Sequence, residues 1–339
     1  MSTELIRVGV IGAGGIARSV HLPALADMDD VRVVAICDLV QGRAAAQAEK
    51  YGIPNIYAIY HDMLAHETLD AIFVLVEPGN LFHVVWSCLD AGLPTFMEKP
   101  PGIDLYQAQS LARKSAETGR ILQVGFNRRH IPLVRHVVDL VRARTAITQV
   151  EGCFMKYGDG AFDRGALSAF ASDTIHAVDL MRAIAGGAPV SAASVIGQYD
   201  EYPTVNAWNG VCRFDNGVTG TIKANYRVGG RIHRFEVHGP GVSAYINLGF
   251  GPQACDATVL SYEGAPQYSL AAQGTSPQGI LRIDGMELAG STEFYRYYGF
   301  YQEDRHFIDC VRSGTPPETG IDDAVKSMAL VQMFVDNEI

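Results

Sequence analysis

The sequence predicts two fold classes in one chain: a doubly wound parallel α/β sheet, then an α+β domain with a large, mainly antiparallel sheet. Three observations predict this. Apolar runs alternate with helix-like segments through the first 125 residues. A glycine-rich turn separates the first run from the first helical segment. After Gly125 the rhythm changes to strand-like runs divided by turn signals. Strands alternating with helices imply parallel pairing with right-handed crossovers, and strands in direct succession imply antiparallel pairing.

Leu5 to Ile11 reads as a buried strand, with Val8, Val10 and Ile11 giving bulk. Val31 to Cys37, Ala71 to Val76, Leu93 to Met97 and Ile121 to Val124 repeat the pattern. Helical segments fall between them: Ile16 to Ala26, Gln41 to Tyr51, Leu81 to Ala91 and Leu105 to Thr118. Gly119 supplies a helix stop after the last. Beyond Gly125, Pro132 to Arg144 and Thr174 to Ala185 read as helices, and Val150 to Tyr157 as a strand. Strand-like runs then follow from Val190 to about Leu270, with Asp215-Asn216-Gly217 as a hairpin turn and Gly239-Pro240-Gly241 as another. Phe300 to Val311 and Asp322 to Val335 close the chain as helices. The expected division is residues 1–125 for the parallel domain and 126–339 for the second.

Composition narrows the function classes. The 339 residues carry a net charge of −10, with 48% apolar and 19% charged residues. Such a chain can bury sizeable cores, and its acidity offers no attraction to nucleic-acid phosphates. No apolar run reaches the ~18 residues of a membrane span. Met1 to Arg7 shows no basic patch followed by an apolar stretch, so a cytoplasmic protein is expected. Cys37, Cys88, Cys153, Cys212, Cys255 and Cys310 are scattered without a C-x-x-C pair, so reduced cysteines and no metal cluster are expected.

Val8 to Ala17 reads VGVIGAGGIA, placing Gly12-x-Gly14-x-x-Ala17 between a strand and a helix. In this context Gly12 makes the tight turn, Gly14 lets a pyrophosphate approach the backbone, and Ala17 permits close helix–strand packing. The free N–H groups at Gly15 and Ile16, where the helix starts, would hold a diphosphate. This is the Rossmann arrangement. The second strand ends at Asp38, about 26 residues past Gly12, where a carboxylate accepts from adenosine ribose hydroxyls and repels a 2′-phosphate. NAD is therefore expected over NADP. Arg43 is counter-evidence, since it could pair with that phosphate or cover the adenine. Asp38 could instead cap a helix or sit in a solvated loop.

Phe96 to Gly102 reads FMEKPPG, a Glu-Lys-Pro at the carboxyl edge of the sheet, where open α/β sheets bind ligands. With the glycine turn, Pro78 and His83, Gly125-Phe126-Asn127-Arg128-Arg129, His176-x-x-Asp179 and the YQEDRHFIDCVRSG ending, the chain resembles the glucose–fructose oxidoreductase / inositol dehydrogenase (Gfo/Idh/MocA) family. That resemblance covers almost the whole chain and carries roles with it. Lys99 would contact the reacting hydroxyl or carbonyl oxygen, and His176 would donate or accept the proton. Glu98 would lie near the nicotinamide ribose. Pro78, Asn80 and His83 would flank the cofactor, and Asn127 and Arg128 would line the nicotinamide–substrate cleft.

Oxidising a secondary alcohol needs a hydride acceptor, a base for the proton, and a positive group beside the oxygen; NAD, His176 and Lys99 are matched to those tasks. Many family members place an acid four residues before the histidine. Here that position is Ser172, and the acid is Asp173, which could serve the site or cap the helix. Tyr157, Asp159, Arg164, Asn206, Trp208 and Arg231 are polar or aromatic candidates for a polyhydroxylated or keto-sugar substrate, each also explicable as packing. The aromatics of Arg296 to Phe307 suit core or subunit contact, and covering the open sheet face implies a homodimer or homotetramer. Two other readings stay open: a keto-sugar, imine or enone reductase on this fold, and a non-catalytic nucleotide-binding protein.

Overall fold

In the computed structural model, residues 5–158, 165, 167–251, 253–262 and 279–339 are described. The chain forms two compact units: Met1–Asn127 with Asp159–Ile175 and Phe294–Gln332, and Arg128–Gly158 with His176–Glu293 and Met333–Ile339. This grouping differs from the expected single cut after residue 125 in one direction. The first unit takes back two later segments, and the second of them completes its core.

The first unit is built on β1 (Ile6–Ile11), β2 (Val31–Cys37), β3 (Asn55–Tyr57), β4 (Ala71–Val74), β5 (Thr95–Met97) and β6 (Leu122–Val124). They pair in the order β3-β2-β1-β4-β5-β6, all parallel, so the order reverses between β1 and β4. Val8, Val10, Ile36, Ala71 and Phe73 are all buried, and burial on both faces is why these strands are continuous apolar runs. A π-helical turn (Ala17–His21) leads into α1 (Leu22–Ala26), followed by α2 (Gln41–Tyr51), α3 (Tyr60–His66), α4 (Pro78–Asp90) and α5 (Leu105–Thr118). Asp104 caps α5 by accepting from Gln107 N at 2.8 Å, and Gly119 ends it in the left-handed region. The β3–α3 pair has no counterpart among the expected elements, because a three-residue edge strand is too short to show a period. Helix α4 starts at Pro78, three residues before the apolar run that announces it, since proline suits the first helical position.

The second unit begins with α6 (Pro132–Arg142), β7 (Gln149–Tyr157) and α7 (Ile175–Ala185). β8 (Pro189–Gly197), β9 (Ala207–Phe214), β10 (Thr219–Asn225), β11 (Arg227–Gly239), β12 (Val242–Leu248), β13 (Cys255–Ser261) and β14 (Gly279–Asp284) follow, then α8 (Gly285–Ala289). The sheet order is β14-β13-β12-β11-β7-β10-β9-β8, antiparallel except for the parallel β7–β10 pair. Period-two burial is plain in β9, where Trp208, Cys212 and Phe214 face inward while Asn209, Val211 and Arg213 face out. Gly217, at φ +86°, turns the β9–β10 hairpin at the expected Asp-Asn-Gly. A Cβ on Gly220 would stand 2.7 Å from Met181 Sδ of α7, so the bare backbone there lets that helix pack close. Strand β14 was not among the expected elements, and residues 263–278, within which the expected strand region ended, lie outside the described residues.

The chain then returns to the first unit with α9 (Phe294–Tyr297), α10 (Phe300–Ser313) and most of α11 (Ile321–Asp336). Phe307 and Ile308 of α10 join the core cluster of the parallel sheet. Phe307 stands edge-on to Phe73 with centroids 5.3 Å apart. The aromatic run before α10 is core: Tyr298 is 1% exposed. All six cysteines are free, five of them buried, and burial lifts the Cys37 thiol to about 11. Among the described residues, no helix is long and apolar enough to cross a membrane.

Candidate active site

The carboxyl ends of β1, β2, β4 and β5 open into one cavity of about 720 Å³ within the first unit. Its wall contains Gly12, Gly14, Gly15, Ile16, Asp38, Arg43, Pro78, Asn80, His83, Glu98 and Lys99. Eleven of the twelve expected cofactor residues thus meet at the point where the strand order reverses, the place open α/β sheets reserve for ligands.

The glycine turn has the shape a diphosphate needs. Gly12 sits at φ +101°, and a Cβ there would lie 2.3 Å from the Leu75 carbonyl oxygen, so only glycine fits between β1 and β4. Nothing lies within 4 Å of a Cβ built on Gly14 or Gly15, so that stretch of backbone faces open space. Ala17 is fully buried against the sheet. Asp38 accepts from Ala13 N at 2.8 Å and from Val40 N at 2.7 Å, tying the glycine turn to the end of β2. Its carboxylate therefore has a fixed direction at the cavity wall. Arg43 is exposed one turn into α2. The residues present fit a dinucleotide.

At the other end of the same wall stands the Glu-Lys-Pro turn, with a cis Lys99–Pro100 peptide. Lys99 Nζ donates to the Ser172 carbonyl at 3.0 Å and lies 3.8 Å from Asp173 Oδ1. Both partners belong to a second π-helical turn, Phe170–Thr174, which precedes α7. Ser172 and Asp173 are buried there, so the lysine is held by a carbonyl from one residue and a carboxylate from the next.

Glu98 is anchored from behind. Its Oε2 accepts from Lys99 N at 3.1 Å and its Oε1 from His21 Nε2 at 3.1 Å. His21 Nδ1 in turn meets the Asp304 carboxylate at 2.9 and 3.0 Å. Burial alone would lower the His21 pKa; the charge and hydrogen bond of Asp304, then those of Glu98, outweigh it and hold the imidazole well above its ordinary value. Burial pushes the Asp304 carboxyl up to about 6, against the pull of His21.

Each remaining expected site residue has its own surroundings. Asn127 is 1% exposed and its Nδ2 donates to the Tyr298 carbonyl at 2.8 Å, so it ties the end of β6 to the returning chain rather than lining the cavity. In the second unit, the buried Arg128 places Nη2 3.4 Å from His233 Nδ1 and its guanidinium over Phe154. Tyr157 ends β7, mostly exposed, with the Arg227 guanidinium over its ring. Asn206 is buried and bonds both backbone groups of Tyr199, Trp208 is core, and Arg231 stacks on Phe250. His176 is buried near the start of α7, three residues after Asp173. Arg164 and Asp159 lie outside the described residues. The cavity wall also contains Ala58 and Tyr60, which the sequence reading missed because it missed β3 and α3. It missed His21 and Asp304 too, since one lies just after the glycine motif and the other in α10.

Comparison with known proteins agrees with this geometry. A sequence model described as an oxidoreductase family with an NAD-binding Rossmann fold matches residues 6–126. A second, described as the GFO/IDH/MocA C-terminal domain, matches residues 147–244. The myo-inositol 2-dehydrogenase of Thermotoga maritima is 26% identical over 96% of this chain and 94% of its own length. The inositol 2-dehydrogenase/D-chiro-inositol 3-dehydrogenase of Lactiplantibacillus plantarum is 33% identical, but the match spans only 38% of this chain and 37% of that protein. The crystal structure of a dehydrogenase from Chromobacterium violaceum shares the fold at a TM-score of 0.85 and 19% identity, covering 99% of this chain and 96% of that one. With its NAD-binding Rossmann unit and its second sheet, the chain belongs to the Gfo/Idh/MocA family of oxidoreductases.

Proposed function

We propose that this protein is an NAD-dependent dehydrogenase that oxidises a secondary alcohol of an inositol, sugar or related polyol. One observation carries the reading: the cavity that begins at the glycine turn ends at a lysine ammonium, 3.0 Å from the Ser172 carbonyl and 3.8 Å from the Asp173 carboxylate. A nucleotide-binding module needs no such group. The relatives named as inositol dehydrogenases support the substrate class.

Bound NAD supplies the hydride acceptor. Lys99 then holds the substrate oxygen and stabilises the negative charge that develops on it. Asp173 orients the ammonium and accepts from a neighbouring substrate hydroxyl. His176 takes the hydroxyl proton, a role resting on its place three residues after Asp173 and on the family resemblance. Arg128, on the same resemblance, and Tyr157 and Arg164, on their polar or aromatic character, are the substrate-hydroxyl candidates. Asp38 favours NAD over NADP, because its fixed carboxylate repels a 2′-phosphate more directly than the exposed Arg43 attracts one.

The test is a polyol and sugar screen followed by NADH absorbance, with NAD and NADP in parallel. Turnover with NAD is expected, falling by about 100-fold or more in Lys99→Ala and in His176→Ala. Unchanged turnover in both variants overturns the site. Faster reduction of keto-sugars by NADH selects the reductase reading, and NAD binding without turnover on either panel selects the non-catalytic one.

We also propose a homo-oligomer formed through the outer face of the eight-stranded sheet. Val195, Val211, Ile232, Tyr245 and Ile280 are exposed there among polar neighbours. Light scattering that gives a monomer mass at micromolar concentration overturns this.

A further inference from the structure

We propose that His21 and Asp304 are positioning residues for the Glu-Lys-Pro turn: Asp304 holds His21 as an imidazolium, and the imidazolium fixes the Glu98 carboxylate on the cofactor wall. Both ring nitrogens of His21 face carboxylate oxygens, Asp304 at 2.9 Å and Glu98 at 3.1 Å. An ionised carboxylate only accepts, so each nitrogen must carry a proton, and an imidazole with two N–H groups is a cation. The three side chains then form a carboxylate–imidazolium–carboxylate row.

The His21–Asp304 end of the row is closed to water, and only Glu98 meets the cavity. His21 and Asp304 are 0% exposed and Glu98 is 7% exposed. Phe96 and Phe300 meet the imidazole edge-on at 5.2 and 5.7 Å, and Phe73 is tilted against it at 6.1 Å. Glu303, also buried, brings a further carboxyl oxygen within 4.8 Å of the His21–Asp304 pair. Low dielectric strengthens each bond and makes loss of any one charge expensive.

The row also spans the sequence. His21 lies in the π-helical turn just after the glycine motif, Glu98 follows β5, and Asp304 belongs to α10. Helix α10 therefore reaches the cofactor wall through one imidazole. Since Glu98 Oε2 also accepts from Lys99 N, the direction of Glu98 sets the start of the lysine turn. If residue 304 were neutral, His21 would lose its proton more readily, its one remaining N–H would go to the Glu98 carboxylate, and that bond would lose its charge assistance. The weaker bond would hold Glu98 less firmly in its direction.

The functional half of this inference rests on the proposed placement of the adenosine end of NAD at Asp38 and its nicotinamide end near Glu98. Three measurements separate the possibilities. First, ¹⁵N spectra of the full chain labelled at its ten histidines, with His21 assigned from its loss in His21→Gln, should show both His21 ring nitrogens protonated at about pH 7.5. A neutral ring at that pH overturns the proposal. Second, calorimetry on Asp304→Asn should show NAD affinity reduced by about tenfold, the scale of one charged hydrogen bond. Third, ADP affinity should change by less than about twofold, because ADP does not reach Glu98. Equal losses for NAD and ADP mean a general structural role and overturn the positioning claim. If neither nucleotide binds the unaltered chain, the cofactor placement fails and takes the positioning claim with it, while the spectra still report the charge on His21.

Discussion

Within the glycine turn, two glycines have opposite sensitivities to the addition of one methyl group. Gly12→Ala would drive a Cβ to 2.3 Å from the Leu75 carbonyl at a φ that L residues rarely adopt. A loss of about 2 kcal/mol or more is expected, read as a lower midpoint in urea. Gly14→Ala adds its methyl to open space, so the fold should keep its stability while NAD affinity falls by at least about tenfold through lost backbone approach. A Gly14→Ala variant that binds NAD normally would show that the diphosphate lies elsewhere. The sequence made these glycines legible because their chemistry is local: a strand, a turn and a helix lie side by side within a short stretch. His21 was not legible for the opposite reason. Its partners lie 77 and 283 positions away, and no local pattern distinguishes it from a packed helix histidine.

The strands of the parallel sheet other than β3 were readable because burial on both faces writes them as apolar runs, and β9 because burial on one face writes it as alternation. Element α10 was readable as a helix, yet its destination was not. Its anchors are salt bridges from Arg305 and Arg312 to Asp30, at 2.6 and 3.0 Å, just before β2. Burial alone would raise the Asp30 pKa; the Arg305 hydrogen bond and charge, with the Arg312 charge, outweigh it and lower it. A lowered carboxylate pKa contributes stability that is present above the unfolded value near ~3.9 and lost as pH falls through the folded value. Asp30→Asn should therefore melt a few degrees lower at neutral pH, with the gap closing below about pH 4. A gap that persists undiminished at about pH 3 would mean that the asparagine disturbs packing rather than charge. Phe307→Ala, which removes a fully buried ring from the same helix, should cost about 3–5 kcal/mol at either pH.

At the scale of the molecule, the first unit is discontinuous. Residues 1–127 hold the glycine turn and all six strands, but Phe307 and Ile308 in its core arrive from the other end of the chain. A fragment ending at Asn127 should therefore show weak or non-cooperative thermal unfolding by circular dichroism, whereas the full chain unfolds cooperatively. A fragment with a sharp transition matching the full chain would show that the returning helices are dispensable. Sequence alone favoured one boundary because the change of rhythm after Gly125 is a local signal. The return of α10 is recorded only in which residues touch.

The one parallel pairing in the eight-stranded sheet sets an order of events for a chain made from its N-terminus. Strand β7 occupies the middle of the sheet, yet Gln149 pairs with Thr219 on one side and with His238 on the other. No hairpin partner is present when β7 leaves the ribosome. It must stay unzipped until β10 and β11 have both been synthesised, whereas β8, β9 and β10 can meander together at once. The central strand is thus the latecomer in assembly, and β7 is the stretch where a nascent chain has most need of a chaperone's protection.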